Sequence, residues 1–154
     1  MPTIILSTPV TASPERCFDL SIDVDVHVAS GRGERVVRGV DSGMMRLGDE
    51  VTWQARHFGI PWRMTSVITT LDRPRYFVDE MKSGPFARWR HEHLFAAEGV
   101  GTMMLDKVEY ALPLGWFGRL LDRLLLARYL EKLLMRRNKH ITTVAEEEAR
   151  RGGP

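Results

Sequence analysis

Apolar and polar residues alternate through most of the middle of the chain. This period of two is typical of β-strands with one buried face, and turns that contain Gly or Pro separate the alternating segments. Consecutive strands joined by short turns pair as antiparallel hairpins, so the pattern predicts a meander. The predicted strands cover residues 34–40, 50–58, 61–71, 75–82, 88–97 and 102–112, and a β-rich run at Thr3–Val10 predicts one strand before them.

A short helical pattern lies between the first strand and the meander. Ser13 followed by Pro14 and Glu15 is typical of a helix N-terminus, because a Ser side chain can cap the first turn and Pro fits the first helical position. We expect a short helix from there to about residue 20. Residues 21–27 predict a second short helix or an irregular turn.

A long amphipathic segment follows Pro113. Its apolar residues recur every three or four positions, which predicts one long helix with a bend near residues 125–127. These residues are Phe117, Leu120, Leu121, Leu124, Leu125, Leu126, Leu130, Leu133, Leu134, Ile141 and Val144. A helix with such an apolar side has to pack across the predicted sheet. We predict a single domain over residues 1–147 and a disordered tail over the charged, Gly-containing residues 148–154.

The composition narrows the class of protein. The chain has 154 residues, of which 44% are apolar and 27% charged, enough for one sizeable core. A formal net charge of +2 does not indicate nucleic-acid binding, and the aromatic and basic interleaving of a nucleic-acid platform is missing. Cys17 is the single cysteine, which excludes an internal disulfide. Since no secretory signal and no run of roughly 18 apolar residues is seen, we expect a cytoplasmic protein.

The predicted strand at residues 88–97 carries the most distinctive chemistry. Its alternation places Trp89, His91, His93 and Phe95 on one face of the sheet. The other face receives charged side chains: Arg88, Arg90 and Glu92. Two imidazoles that point the same way as two aromatic rings either line a cavity or need hydrogen-bond partners inside a core.

The turns on either side of this strand predict its neighbours. In a tight hairpin centred near Pro85, residues at equal distances from the turn face each other, so Asp79 lies opposite His91. The same rule places Met81 opposite Trp89. Applied to the turn at residues 98–101, it places two further pairs opposite each other, namely Asp106 with His93 and Met104 with Phe95. The register therefore predicts two His/Asp neighbours.

The order of elements and one local run resemble a known superfamily. The run is 84–95, read as Gly-Pro-Phe-Ala-Arg-Trp-Arg-His-Glu-His-Leu-Phe, and Gly101-Thr102, Asp106, Tyr110 and Pro113 follow it. Together they resemble a bacterial branch of the START-like polyketide cyclase and lipid-transport superfamily, often called SRPBCC. The resemblance implies an α+β helix-grip fold, in which a curved antiparallel sheet of about seven strands wraps around a long C-terminal helix and two short helices follow the first strand.

The resemblance also implies a cavity between the sheet and the last helix. Some members of the superfamily catalyse cyclisation or dehydration, and many only bind a hydrophobic or amphipathic small molecule such as a lipid, polyketide or quinone-like compound. From the alternation we expect twelve cavity residues: Trp53, His57, Met64, Phe77, Asp79, Met81, Trp89, His91, His93, Phe95, Met104 and Asp106. Met and aromatic side chains with a few polar groups suit an adaptable apolar pocket. The same residue types also occur in a simple core.

Three interpretations of His91 and His93 stay open. A His-x-His pair with His57, Asp79 or Asp106 nearby is ligand chemistry that zinc or iron accepts. A carboxylate beside each ring could instead orient it as a general base, with His91 paired to Asp79 and His93 to Asp106. In the third interpretation the four side chains form a buried network that holds a ligand's polar group. The superfamily is not generally metal-dependent, so we predict no metal and no cofactor.

The predicted last helix carries an excess of basic residues. These are Arg119, Arg123, Arg128, Lys132, Arg136, Arg137 and Lys139, against Asp122 and Glu131. The simpler interpretation is that the leucines face the sheet while the basic side faces water. The alternative is a weak contact with an anionic membrane surface.

Overall fold

The computed structural model describes residues 1–113, 115, 117, 120 and 125–152, and in this part of the chain seven strands form one antiparallel sheet. The strands are β1 (Thr3–Val10), β2 (Arg35–Gly39), β3 (Glu50–His57), β4 (Ile60–Asp72), β5 (Tyr76–Ser83), β6 (Arg88–Glu98) and β7 (Gly101–Ala111). Their order across the sheet is β1-β7-β6-β5-β4-β3-β2. The meander is thus continuous from β2 to β7, and β1 closes the far edge beside β7. This arrangement confirms the predicted antiparallel sheet.

Two short helices connect β1 to β2, as predicted. Helix α1 (Pro14–Ile22) begins where Ser13 accepts a hydrogen bond from the backbone N of Arg16 at 3.2 Å. Only Asp23 separates the end of α1 from helix α2 (Val24–Ser30). Asp23 caps α2 in the same way, because its side chain accepts a hydrogen bond from the backbone N of Val26 at 3.0 Å. These caps satisfy amide groups that the first turn of a helix leaves without partners.

The last described helix, α3 (Ala127–Arg151), packs against β1, α1 and α2. Leu130, Leu134, Ile141 and Ala145 are buried along one side, which confirms the predicted apolar stripe in this half of the segment. The helix continues through Arg151 and so runs past the predicted boundary at residue 147. The predictions for Leu114, Trp116, Arg119, Leu121, Asp122, Arg123, Leu124, Gly153 and Pro154 lie outside the described residues.

Buried apolar side chains of the described residues form two clusters. In one, Phe18 of α1 meets Phe77 and Phe95 of the sheet edge-on, with ring centroids 5.3 and 5.4 Å apart. In the other, leucines of α3 pack with β6, β7 and the β5–β6 turn, and its members include Phe86, Val108, Tyr110, Leu126, Leu130 and Leu134. The fold is therefore the α+β helix-grip fold, with α3 laid across the inner face of the sheet.

Candidate functional site

A cavity of about 470 Å³ lies between the sheet and α3. Its walls come from β3, β4, β5 and β6 on one side and from Leu126, Tyr129, Leu130, Leu133 and Leu134 on the other. The α2 segment and the following loop close one end. Strand alternation explains the sheet side, because every second residue of a strand points to the same face. A volume of this size falls in the range of small-molecule sites.

Most of the predicted cavity residues line this space. They are Trp53, His57, Met64, Phe77, Asp79, Trp89, His91 and His93. Four of the predicted residues do not contribute to the lining, and each has a packing reason. Phe95 and Met104 are buried in the cluster around Phe18, and Met81 packs at the edge of the leucine cluster of α3. Asp106 is buried behind the two imidazoles, to which it is bound.

The strand register of the two His/Asp neighbours is as predicted, but their hydrogen bonds cross it. Asp79 is the β5 partner of His91, and Asp106 is the β7 partner of His93. The short contacts nevertheless join His91 Nε2 to Asp106 Oδ1, at 2.7 Å, and His93 Nε2 to Asp79 Oδ2, at 2.8 Å. The register partners lie farther apart: 3.2 Å separates His93 Nδ1 from Asp106 Oδ1, and 3.8 Å separates His91 Nδ1 from Asp79 Oδ2. Each carboxylate therefore faces both rings, whose centroids are 3.7 Å apart.

Two residues of α3 complete this cluster from behind. The amide of Asn138 donates from Nδ2 to Asp106 Oδ2 at 2.6 Å. The guanidinium of Arg137 lies 3.9 Å from Asp106 Oδ1 and donates to the backbone O of Ser21 at 2.6 Å. The simpler sequence interpretation, in which all the basic residues of the last helix face water, is wrong for Arg137, whose side chain is 12% exposed. Its place on the buried stripe brings a positive charge to the carboxylates.

The pKa shifts fix the charge states inside the cluster. Burial alone would raise the pKa of Asp106, but hydrogen bonds from both imidazoles hold that pKa well below its usual value. Burial acts to raise the pKa of Asp79 as well, but the hydrogen bond from His93 and the charges of His91, His93 and Arg137 together lower it. Burial, with the nearby charge of His93, lowers the pKa of His91 to about 4. At neutral pH both carboxylates are ionised acceptors, and His91 is a neutral ring that donates through Nε2.

The opposite end of the cavity has a second polar group. His57 of β3 and Tyr129 of α3 share a hydrogen bond of 2.7 Å between Nδ1 and the phenol oxygen. On the α2 side, the ring of His27 stacks on Trp53 with centroids 4.1 Å apart, and its Nε2 lies 3.3 Å from Glu34 Oε1. Burial lowers the pKa of His57, so its neutral form is favoured. This end combines aromatic faces with groups that donate and accept hydrogen bonds.

Sequence reasoning missed several cavity residues. Trp62 had a usable signal, because it lies two residues before Met64 on the same strand face. Arg137 also had one, since it falls between Leu134 and Ile141 on the apolar stripe of α3, and so did Tyr129, which lies three residues after Leu126 and four before Leu133. Other missed lining residues, among them Glu34, gave no such periodic signal.

Three side chains of the cluster are arranged as metal ligands. Asp79, His91 and His93 each offer one ligand atom, and these atoms lie within 4.8 Å of one another. For acid–base chemistry the arrangement is less suitable, because both nitrogens of each imidazole face a carboxylate. The predicted pairs left one nitrogen of each ring free, and the structure instead engages it.

The exposed side of α3 remains basic. Arg128, Lys132, Arg136 and Lys139 are exposed there. In the part of the chain that the structure describes, no helix has both the length and the apolar character that crossing a bilayer would require.

No protein-family model matches the sequence, and comparison with curated proteins gives no significant match. Solved structures do match over nearly the whole chain. A protein from Thermus thermophilus is similar with a TM-score of 0.71 and 21% identity, over 94% of this chain and 99% of the other. The major latex-like protein 151 from Panax ginseng gives a TM-score of 0.70 at 13% identity, over 94% and 97%. A START superfamily protein from Mycobacterium smegmatis gives 0.68 at 14% identity, over 96% and 99%.

These likenesses cover 94–96% of the chain, and at such low identity they establish the fold alone. The chain has the helix-grip fold of START-like and Bet v1-like proteins.

Proposed function

We propose that this protein binds a hydrophobic or amphipathic small molecule, such as a lipid, polyketide or quinone-like compound, in the cavity between the sheet and α3. The observation that carries the proposal is the cavity itself, about 470 Å³ of space lined mainly by apolar side chains. Natural interiors rarely keep so large a void, because each lost contact costs stability. The void is therefore best explained by an occupant.

The lining supports an amphipathic occupant. Aromatic and aliphatic side chains cover most of its walls, among them Trp53, Trp62, Phe77 and Trp89. Its polar groups include two sets, the His/Asp cluster and the group around His57 and Tyr129. A guest with an apolar body would bury its length between the sheet and α3 and place a polar group at one end.

The alternative is an enzyme of the cyclase or dehydratase type that uses the His/Asp pairs as acids and bases. The geometry favours binding over this role. His91 and His93 are 6% and 3% exposed, and each ring is hydrogen-bonded through Nε2 to a carboxylate of the cluster, so the rings are held in an internal network rather than presented to a substrate.

The experiment is a binding assay with N-phenyl-1-naphthylamine, an uncharged apolar fluorophore. The Ala55→Phe variant places a ring inside the cavity, since Ala55 is buried in the lining. Ala97→Phe is the matched control, because Ala97 is exposed near the end of β6. We expect the wild type and Ala97→Phe to enhance the fluorescence and Ala55→Phe to lose that enhancement while keeping its circular dichroism spectrum.

Equal fluorescence from all three folded proteins would contradict the proposal. If only Ala55→Phe loses the enhancement, organic extraction of the purified protein, followed by mass spectrometry, identifies the natural occupant. A turnover screen with His91→Ala and His93→Ala separates binding from catalysis. If either variant abolished a measured reaction while it kept the fluorophore, the enzyme alternative would replace the binding function.

A further inference from the structure

Three potential ligand atoms converge at the inner end of the cavity. Asp79 Oδ2 lies 2.8 Å from His93 Nε2 and 3.8 Å from His91 Nδ1. Ligand atoms of a four-coordinate zinc site stand roughly 3 to 4 Å apart, because each bond to the metal is about 2.0–2.1 Å long. The longer of these separations falls in that range, and the shorter lies just below it. Small rotations of the three side chains would place all three atoms on one ion.

The far nitrogens of both rings are already held by one carboxylate. Asp106 Oδ1 lies 2.7 Å from His91 Nε2 and 3.2 Å from His93 Nδ1. Its other oxygen accepts from Asn138 at 2.6 Å, which fixes the orientation of the carboxylate. This is the usual support of metal-binding histidines, whose second N–H donates to a carboxylate and so fixes the tautomer.

The three ligand residues all line the cavity, and the side chain of Asp79 is 20% exposed. A metal held by them would keep a coordination position that opens to the cavity, as catalytic and ligand-binding sites do. We propose that Asp79, His91 and His93 bind one first-row divalent cation, Zn²⁺ or Fe²⁺, and that Asp106 positions the two rings. Nitrogen and carboxylate ligands without thiolates suit both ions.

The experiment uses chelator-treated protein without a histidine tag and the metal alone. Zn²⁺ is titrated by calorimetry and Co²⁺ by visible absorption, because Co²⁺ bands report the coordination number and geometry. We expect one equivalent of metal and the intense bands of a four- or five-coordinate site. His93→Ala and Asp79→Asn should each weaken binding about 100-fold or more.

His57→Ala is the matched control, since it removes a cavity histidine outside the cluster. We expect it to bind metal as the wild type does. Asp106→Asn should still bind the metal, with an affinity about 10- to 100-fold lower than that of the wild type. It should also shift the Co²⁺ bands, an effect that a general loss of stability would not produce. Circular dichroism checks that each variant is folded. If His93→Ala does not fold, Asp79→Asn, which preserves the shape of the side chain, serves as the test.

The proposal is overturned if the wild type shows no Zn²⁺ binding at about 100 µM Zn²⁺. The binding free energy would then be weaker than about −5.5 kcal/mol. The proposal is equally overturned if His93→Ala binds as tightly as the wild type. Ala55→Phe should keep the metal while losing the fluorophore, so this proposal and the proposed binding function can fail separately.

Discussion

His91 Nε2 donates to Asp106 Oδ1 at 2.7 Å, although the β7 residue directly opposite His91 is Val108. The bond is diagonal, since strand side chains lean along the strand and a long side chain reaches the neighbour two positions away. Because Asp106 also accepts from Asn138, this one carboxylate joins β6, β7 and α3. The cluster therefore ties the sheet to the helix at the inner end of the cavity.

Replacing Asp106 should cost more stability than its size suggests. Asp106→Ala removes the acceptor of His91 Nε2 and one of the two acceptors of the Asn138 amide in a buried site, so we expect the free energy of unfolding to fall by roughly 3 kcal/mol. Urea unfolding followed by circular dichroism measures the change. Glu98→Ala, at an exposed position at the end of β6, should change it by less than about 0.5 kcal/mol. Equal effects of the two substitutions would show that the network does not stabilise the fold.

Arg137 and Arg136 are adjacent in sequence and differ in surroundings. Arg137→Leu removes the hydrogen bond to Ser21 and the charge beside Asp106, so we expect a loss of roughly 2 kcal/mol in the free energy of unfolding. Arg136→Leu, on the exposed side of α3, should stay within about 0.5 kcal/mol of the wild type. Urea midpoints of the pair measure the difference. The inward assignment of Arg137 is rejected if the two variants unfold alike.

Phe58 occupies a backbone conformation that suits other residues better. Its φ is 54°, in the left-handed region, and its ring is 59% exposed with its centroid 4.6 Å from that of Tyr129. Such a conformation costs an L-residue roughly 1–2 kcal/mol, and Asn tolerates it better. Phe58→Asn should therefore raise the free energy of unfolding by about 0.5–1 kcal/mol and lower affinity for the fluorophore, since Phe58 lines the cavity.

Phe58→Ala separates the two effects. It removes the ring but leaves the left-handed backbone strain at position 58. The variant should therefore lose affinity for the fluorophore and gain no stability. Thermal unfolding and fluorescence titration of both variants give the comparison. An Asn variant that bound the fluorophore as the wild type does would show that the ring at the hairpin tip takes no part in binding.

His57 makes the stability depend on pH. Burial lowers its pKa from the usual 6.5, with Glu34 acting in the opposite direction, so the unfolded chain binds this proton at a higher pH than the folded one. The free energy of unfolding therefore rises with pH through this window. The contribution is complete above pH 6.5 and is lost as the pH falls toward the folded-state value.

Urea unfolding at pH 7.5 and 5.5 tests this dependence. His57→Gln should show a smaller difference in free energy of unfolding between the two pH values than the wild type. His140→Gln, on α3 and outside the cavity lining, is the control and should keep the wild-type difference. An unchanged difference in His57→Gln would assign the pH dependence to other groups.

The sheet could be predicted well from the sequence for a simple physical reason. Alternation marks where each strand starts and stops, and no end of the seven strands differs from its predicted position by more than one residue. The turns near Pro85 and Gly99 then set the register, which placed Asp79 across from His91 and Asp106 across from His93. Register is strongly specified here because one face of these strands is buried.

The side-chain connections could not be predicted in the same way. Register fixes which Cα atoms are opposite, whereas the choice between a straight and a diagonal contact depends on rotamers and on neighbours from other elements. His27 of α2 shows the same limit, because its local sequence does not indicate that its ring stacks on Trp53 of β3. Contacts between distant segments carry no periodic signal.

The size of the cavity has a calorimetric consequence. At liquid density, a space of 470 Å³ corresponds to on the order of fifteen water molecules. An apolar guest that displaces such water removes hydrophobic surface from solvent, so its binding should lower the heat capacity of the system. The enthalpy of association would then become more negative as the temperature rises.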